Sequence, residues 1–176
     1  MTIPNVLSIF RLLTTFLFLS FVIKERFNLA LFIFVFQGLS DLLDGLIART
    51  FKSKSDLGAF LDPLADKFML VSSYLVLAYK NIIPRWVTLI VVFRDFFVLL
   101  GFLILYNLSY QSVPRPRLLG KICTALEVIT IFYVLWSDRG RYQFYFFYLT
   151  GLFALLSGLD YLFSGIRLFV RKPLRG

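Results

Sequence analysis

Apolar residues run along this chain in long blocks, and polar residues gather in the gaps between them. A helix needs about 20 mostly apolar residues to cross a bilayer. The pattern predicts six such helices, at roughly 5–23, 27–48, 58–79, 84–106, 118–137 and 142–165. The connections carry charge, Pro, Gly or Asn: "KERFN", "RTFKSKSD", "KNIIPR", "NLSYQSVPRPR", "SDRGR" and the tail "RLFVRKPLRG". The expected fold is all-α: a polytopic membrane protein, a single bundle of six transmembrane helices, with residues 1–176 as one domain and no internal repeat.

Composition strengthens that expectation. The 176 residues are 59% hydrophobic and only 16% charged, whereas a soluble domain carries about 25% charged residues. The net charge of +9 could point to nucleic acid, but no basic run or aromatic–basic interleaving supports that partner. Basic loops facing a cytoplasmic leaflet explain the charge better. One side of the bundle collects Arg49, Lys52, Lys54, Arg115, Arg117, Lys121, Arg167, Arg171, Lys172 and Arg175; the other collects Lys24, Arg26, Lys80, Arg85, Arg139 and Arg141. The excess places both termini in the cytoplasm. The opening "MTIPNVLSIFRLL" suits a segment that lies along the interface before it spans, with Pro4 at an early helix position. It lacks the basic start and small-residue cleavage site of a removable signal. The aromatic segment "YQFYFFY" at 142–148 reads as an interfacial belt at the outer leaflet rather than a cofactor box.

The chain has no histidine and one cysteine, Cys123, in an apolar run that suits packing. Histidine-based acid–base chemistry, a Ser-His-Asp triad and the usual zinc sites are thereby excluded. Chemistry must come from carboxylates, Lys and Arg, hydroxyls or a hard metal ion.

The carboxylates are concentrated. "SDLLDGLIARTFKSKSDLGAFLDPLADK", from Ser40 to Lys67, holds five of the ten: Asp41, Asp44, Asp56, Asp62 and Asp66. Asp41 and Asp44 are three apart, and Asp62 and Asp66 four apart, so each pair shares one helix face. The pairs fall at the cytoplasmic end of the second helix and start of the third, joined by a loop of about ten residues. Four converging carboxylates repel one another, and a divalent cation relieves the repulsion. An all-oxygen ligand set selects a hard ion, Mg²⁺, Mn²⁺ or Ca²⁺, and paired ions serve phosphoryl chemistry. Gly45, Ala48, Gly58 and Ala59 are small enough for close approach, while Arg49, Lys52 and Lys54 offer partners for a diphosphate. The plainer alternative is a solvated helix end with small residues that merely pack.

Asp41-x-x-Asp44-Gly45-x-x-Ala48-Arg49, eight residues, Gly58-x-x-x-Asp62-x-x-x-Asp66 resembles, at every fixed position, the signature of the CDP-alcohol phosphotransferase family. The resemblance extends over nearly the whole chain. It implies that Asp41, Asp44 and Asp62 hold two divalent cations, Mg or Mn, with Asp66 a ligand and the catalytic base. It also implies that the CDP moiety lies against Asp41, Gly45, Ala48, Asp56 and Gly58, with Arg49 in support. "TIPNVLSIFR", "LGAFLDPLADK", "IIPRW", "FRD" and "LGK" look like the branch of cardiolipin synthases and phosphatidylglycerophosphate synthases. Both use CDP-diacylglycerol; the acceptor is phosphatidylglycerol in one and glycerol 3-phosphate in the other. Arg94-Asp95, where the second type more often has Arg-Glu, favours the first. The resemblance further implies a homodimer in the bacterial inner membrane, with its site at the cytoplasmic face.

Arg94 lies deep in an apolar helix, where a lone cation costs about 2.5–3.5 kcal/mol on insertion scales. Neighbouring helix positions diverge, so Asp95 alone is expected to be a poor partner. Arg94 then binds an acceptor phosphate with Lys121 and Arg117, or else forms a structural ion pair with Glu127 or Asp95. Asn5 and Arg11 resemble family positions lining the same cavity, and Asp160 has no assigned role. Two competing classes are an ion transporter that uses intramembrane carboxylates and a catalytically dead lipid-binding scaffold.

Overall fold

Six helices make up nearly all of the described chain: α1 (Ile3–Ile23), α2 (Phe27–Phe51), α3 (Asp56–Tyr79), α4 (Arg85–Asn107), α5 (Leu118–Trp136) and α6 (Gln143–Arg171). The structure is a computed structural model that describes residues 3–51, 56–107, 118–137, 140 and 142–171; side-chain surroundings are described at 10–40, 67–101, 118–137, 140 and 142–164. There is no strand among the described residues. All six expected helices are present, and the differences lie at their ends. α2 runs on through Arg49, Thr50 and Phe51, and α3 begins at Asp56, so four residues separate them rather than about ten. Nothing in "ARTF" breaks a helix, and an acid in a first helical turn complements the positive end of the helix dipole. α6 likewise continues to Arg171, two residues short of Pro173, because no breaker precedes that proline.

The chain divides into two compact units. The first comprises Met1–Ile83 and Ile131–Gly140. In it α1 packs against both α2 and α3, and Phe18, Val22, Ala30, Leu70, Tyr74 and Leu77 are buried. α1 and α3 end alike. Glu25 and Asn81 adopt left-handed φ values of 58° and 55°. The next amides reach back five residues, Arg26 N–H to the Phe21 carbonyl and Ile82 N–H to the Leu77 carbonyl, both at 2.9 Å. These are Schellman caps, which satisfy the orphan carbonyls of a helix end. Lys80 Nζ donates to Glu25 Oε1 at 2.8 Å, bringing together the two connections that the charge pattern assigned to one side. That hydrogen bond and the lysine charge hold the Glu25 carboxyl below its ordinary pKa of 4.5.

The second unit comprises Pro84–Thr130 and Arg141–Gly176, and in it α4 packs against α6. α4 starts after Pro84, whose carbonyl accepts from the Val87 amide at 3.1 Å. Trp86 lies over α6, its ring 5.4 Å from that of Tyr148. Within the "YQFYFFY" segment Tyr142, Phe144, Tyr145 and Tyr148 face outward, whereas Gln143 and Phe147 are buried.

Both units bury polar side chains within an apolar core and expose large apolar ones. Thr15, Gln37, Arg94, Asp95, Glu127, Thr130, Thr150 and Ser157 are buried, while Phe32, Phe93, Leu152 and Phe163 are more than half exposed. Water would penalise such an outer face, and lipid would not. Among the described residues, Leu118–Trp136 and Gln143–Ser164 are long and apolar enough to cross a membrane; Phe10–Ile23, Phe27–Ser40 and Lys67–Tyr79 are shorter apolar helical stretches.

Glycine positions give a test of this packing. A Cβ at Gly151 would stand 2.7 Å from Cζ3 of the Trp86 ring, whereas one at Gly101 would meet nothing within 4 Å. Gly151→Ala is expected to lower the melting temperature in detergent by several degrees. Gly101→Ala is expected to hold or raise it, since alanine gains up to ~1 kcal/mol over glycine in a helix interior. Differential scanning fluorimetry of both variants checks the contrast.

Candidate active site

The signature falls on two helices, as its spacing requires. Asp41, Asp44, Gly45, Ala48 and Arg49 stand on the last turns of α2, and Asp56, Gly58, Asp62 and Asp66 on the first turns of α3. Helical register puts Asp41 with Asp44, and Asp62 with Asp66, on one face of their respective helices. The side chains of residues 41–66 lie outside those described, as do Lys52, Lys54 and Arg117 altogether and the side chain of Asn5. Among the described residues no group of three or more acids, cysteines or histidines is arranged to hold a metal ion.

In the first unit the described side chains of α2 end at Ser40, and Gln37 lies one turn before Asp41. Only 4% exposed, Gln37 joins α2 to α1. Its Nε2 donates to Thr14 Oγ1 at 2.6 Å, Thr15 Oγ1 at 3.2 Å and the Arg11 carbonyl at 3.2 Å. Both threonine hydroxyls donate to carbonyls of α1 itself: Thr15 to Arg11 at 2.8 Å, and Thr14 to Phe10 at 2.9 Å or Arg11 at 3.0 Å. The Arg11 carbonyl can only accept, so Gln37 presents its amide nitrogen to α1 and the two hydroxyl oxygens accept from it as well. Gln37 was missed in the sequence. Its signal was a single amide in the apolar run "LFIFVFQGL", four residues before the first motif acid.

In the second unit Arg94 is buried and its donors are filled from three helices. Nη1 lies 2.5 Å from Asp95 Oδ1 and 3.7 Å from Glu127 Oε1. Nε and Nη2 donate to Ser157 Oγ at 3.3 and 3.0 Å, and Nη2 approaches the Gly120 carbonyl at 3.4 Å. Cys123, fully buried, adds Sγ to Glu127 Oε1 at 3.1 Å. The expectation that Asp95 is a poor partner is therefore corrected: adjacent Cβ atoms diverge, but the long arginine arm bridges that divergence. Lys121, beside Gly120, is exposed. Arg11 is half-buried on α1, and Asp160 half-buried on α6, its carbonyl accepting from Ser164 Oγ at 2.5 Å.

This geometry makes Arg94 the tie between α4, α5 and α6, and an acceptor phosphate there would have to displace Ser157 or the Gly120 carbonyl. Arg94→Met leaves two buried carboxylates without their cation and is expected to cost ~3–5 kcal/mol of stability. Adding Asp95→Asn and Glu127→Gln is expected to recover much of the loss. Unfolding in detergent, followed by tryptophan fluorescence, measures both; an unchanged single variant would leave Arg94 without this tying role.

A family model described as CDP-alcohol phosphatidyltransferase matches residues 1–156. A probable cardiolipin synthase (CMP-forming) of Drosophila melanogaster is 35% identical over 93% of this chain and 58% of its own length. The cardiolipin synthase (CMP-forming) of Homo sapiens is 40% identical over 68% of this chain and 39% of its own. A CDP-diacylglycerol–glycerol-3-phosphate 3-phosphatidyltransferase of Aquifex aeolicus is 31% identical over 74% of each. The chain thus spans well under two thirds of the fly and human relatives.

Proposed function

The chain belongs to the CDP-alcohol phosphatidyltransferase family, and from that premise we propose that it is an enzyme of phospholipid synthesis that transfers a phosphatidyl group from CDP-diacylglycerol to a glycerol-type alcohol, releasing CMP. What supports this reading is the complete signature, whose residues fall on the last turns of α2 and the first turns of α3. A transporter has no need of that spacing.

The donor set fits a pair of hard divalent cations: four aspartates, in two helical pairs, in a chain without histidine. We assign Asp41, Asp44, Asp62 and Asp66 to hold Mg²⁺ or Mn²⁺. Such ions, when bound, neutralise charge on the diphosphate and on the leaving CMP. Asp66 takes the proton of the acceptor hydroxyl. The freed oxygen forms a bond to the phosphorus that carries diacylglycerol, and the bond from that phosphorus to CMP breaks. Gly45, Ala48 and Gly58 leave room for the CDP moiety beside Asp41 and Asp56, and Arg49 supports its diphosphate.

We favour phosphatidylglycerol as acceptor, in keeping with the cardiolipin synthase names of the fly and human relatives. The Aquifex relative makes glycerol 3-phosphate the second candidate. Either acceptor brings a phosphate, which we assign to Lys121 and Arg117, with Asn5 and Arg11 as further acceptor-binding residues. Arg94 joins them only by exchanging bonds that now tie its own unit together. We read the whole as one six-span domain acting as a homodimer, its site at the cytoplasmic face of a bacterial inner membrane. The exposed apolar faces of both units, their buried polar side chains and the basic loops support this placement.

The test is an assay of purified protein with CDP-diacylglycerol, offering phosphatidylglycerol and glycerol 3-phosphate in parallel, with Mg²⁺ or with chelator. Release of CMP with formation of cardiolipin is expected only with metal, and Asp66→Asn is expected to lose at least ~100-fold in kcat. Transfer in metal-free buffer would contradict the metal assignment, and transfer to glycerol 3-phosphate alone would reverse the choice of acceptor.

A further inference from the structure

Gln37 Oε1 is buried and has no hydrogen-bond partner among the described residues, although the other end of the same amide is bonded to α1. A buried amide oxygen without a donor is rare. Turning the amide over would set its oxygen against the Arg11 carbonyl, which only accepts, so the nitrogen end stays toward α1. The side chain is therefore held with an accepting oxygen that the described protein does not use. Asp41 and Asp44 follow at four and seven residues along α2, so position 37 continues the face that carries the first acid pair, one turn nearer the bilayer interior.

Granted the transferase reaction proposed above, that location has a chemical meaning. CMP is water-soluble and leaves toward the cytoplasm. In an in-line displacement the attacking oxygen stands opposite the leaving CMP, and Gln37 lies one turn inward of the first acid pair on the same helix face. Both candidate acceptors are glycerol derivatives with a second hydroxyl on the carbon next to the reacting one. We propose that Gln37 Oε1 accepts a hydrogen bond from this neighbouring hydroxyl, and so selects a glycerol headgroup and sets the approach of the reacting oxygen. The Arg11 carbonyl, with the Thr14 and Thr15 hydroxyls, positions Gln37 for that role by holding its amide nitrogen toward α1.

The experiment compares, on the purified full-length protein, each acceptor with its analogue lacking the middle hydroxyl: phosphatidyl-1,3-propanediol against phosphatidylglycerol, and 3-hydroxypropyl phosphate against glycerol 3-phosphate. A site that hydrogen-bonds a substrate hydroxyl discriminates strongly against the analogue without it. Wild type is expected to favour the glycerol acceptor by ~10-fold or more in kcat/KM. Gln37→Met, of similar length without the oxygen, is expected to bring that ratio near one while the KM for CDP-diacylglycerol stays unchanged. Gln37→Leu serves as the second variant if the first does not fold. Brisk wild-type transfer with a ratio near one would overturn the proposal and leave the oxygen to a structural water. A variant that keeps the wild-type ratio would overturn it too, by placing recognition elsewhere. No transfer by wild type to any acceptor would instead overturn the transferase reading, and this role with it.

Discussion

A charge inside an apolar helical bundle has to be paired, and that constraint governs every informative position in this chain. Hydrocarbon offers no water to solvate an ion, so a carboxylate or guanidinium there needs a partner or a functional reason to persist. The second unit shows how the constraint is met with protein groups alone. Arg94 on α4 answers Asp95, Glu127 on α5 and Ser157 on α6, all within one buried cluster. The tie is directional as well as ionic, because a planar guanidinium sets the angles at which its partners approach. A Cβ at Gly120 would crowd Tyr161 at 3.3 Å and Arg94 Nη2 at 3.4 Å, whereas one at Gly158 would make ordinary contact with Arg94.

The motif helices meet the same constraint differently. Asp41 and Asp44 on α2, and Asp62 and Asp66 on α3, outnumber the basic residues placed within those two helices, Arg49 and Lys67. On the function proposed above, divalent cations would supply the missing charge, and a diphosphate substrate would complete the balance. The polar seam of Thr14, Thr15 and Gln37 extends this face inward without adding charge. Pairing with protein groups and pairing with bound ions thus divide the chain's interior polarity between structure and chemistry.

Much of this was legible in the sequence because apolar blocks of spanning length have few alternatives. Each of the six helices lies within a few residues of its expected bounds; α2 and α6 ran further because "ARTF" and "IRLFVR" contain no breaker. The acid positions were readable from spacing alone, since three- and four-residue intervals put them on one face wherever the helix forms. What could not be read is where long side chains go. Position 95 was judged from its direction on the helix, but Arg94 has enough reach to cancel that direction. Ser157 and Gln37 stood as single polar residues in apolar runs, and their partners are distant in sequence, 63 and 22 residues away for the bonds to Arg94 and Thr15.

The account stands most directly on the charge balance of the α2–α3 aspartates. Mn²⁺ binding to the purified protein, counted by electron paramagnetic resonance with CDP-diacylglycerol present, measures it without relying on turnover. Two ions per chain are expected in the wild type, and at least one fewer in Asp41→Asn and in Asp62→Asn with the fold intact by circular dichroism. Folded variants that still bind two ions as tightly as the wild type would contradict the account, because the aspartates would then not be what holds them.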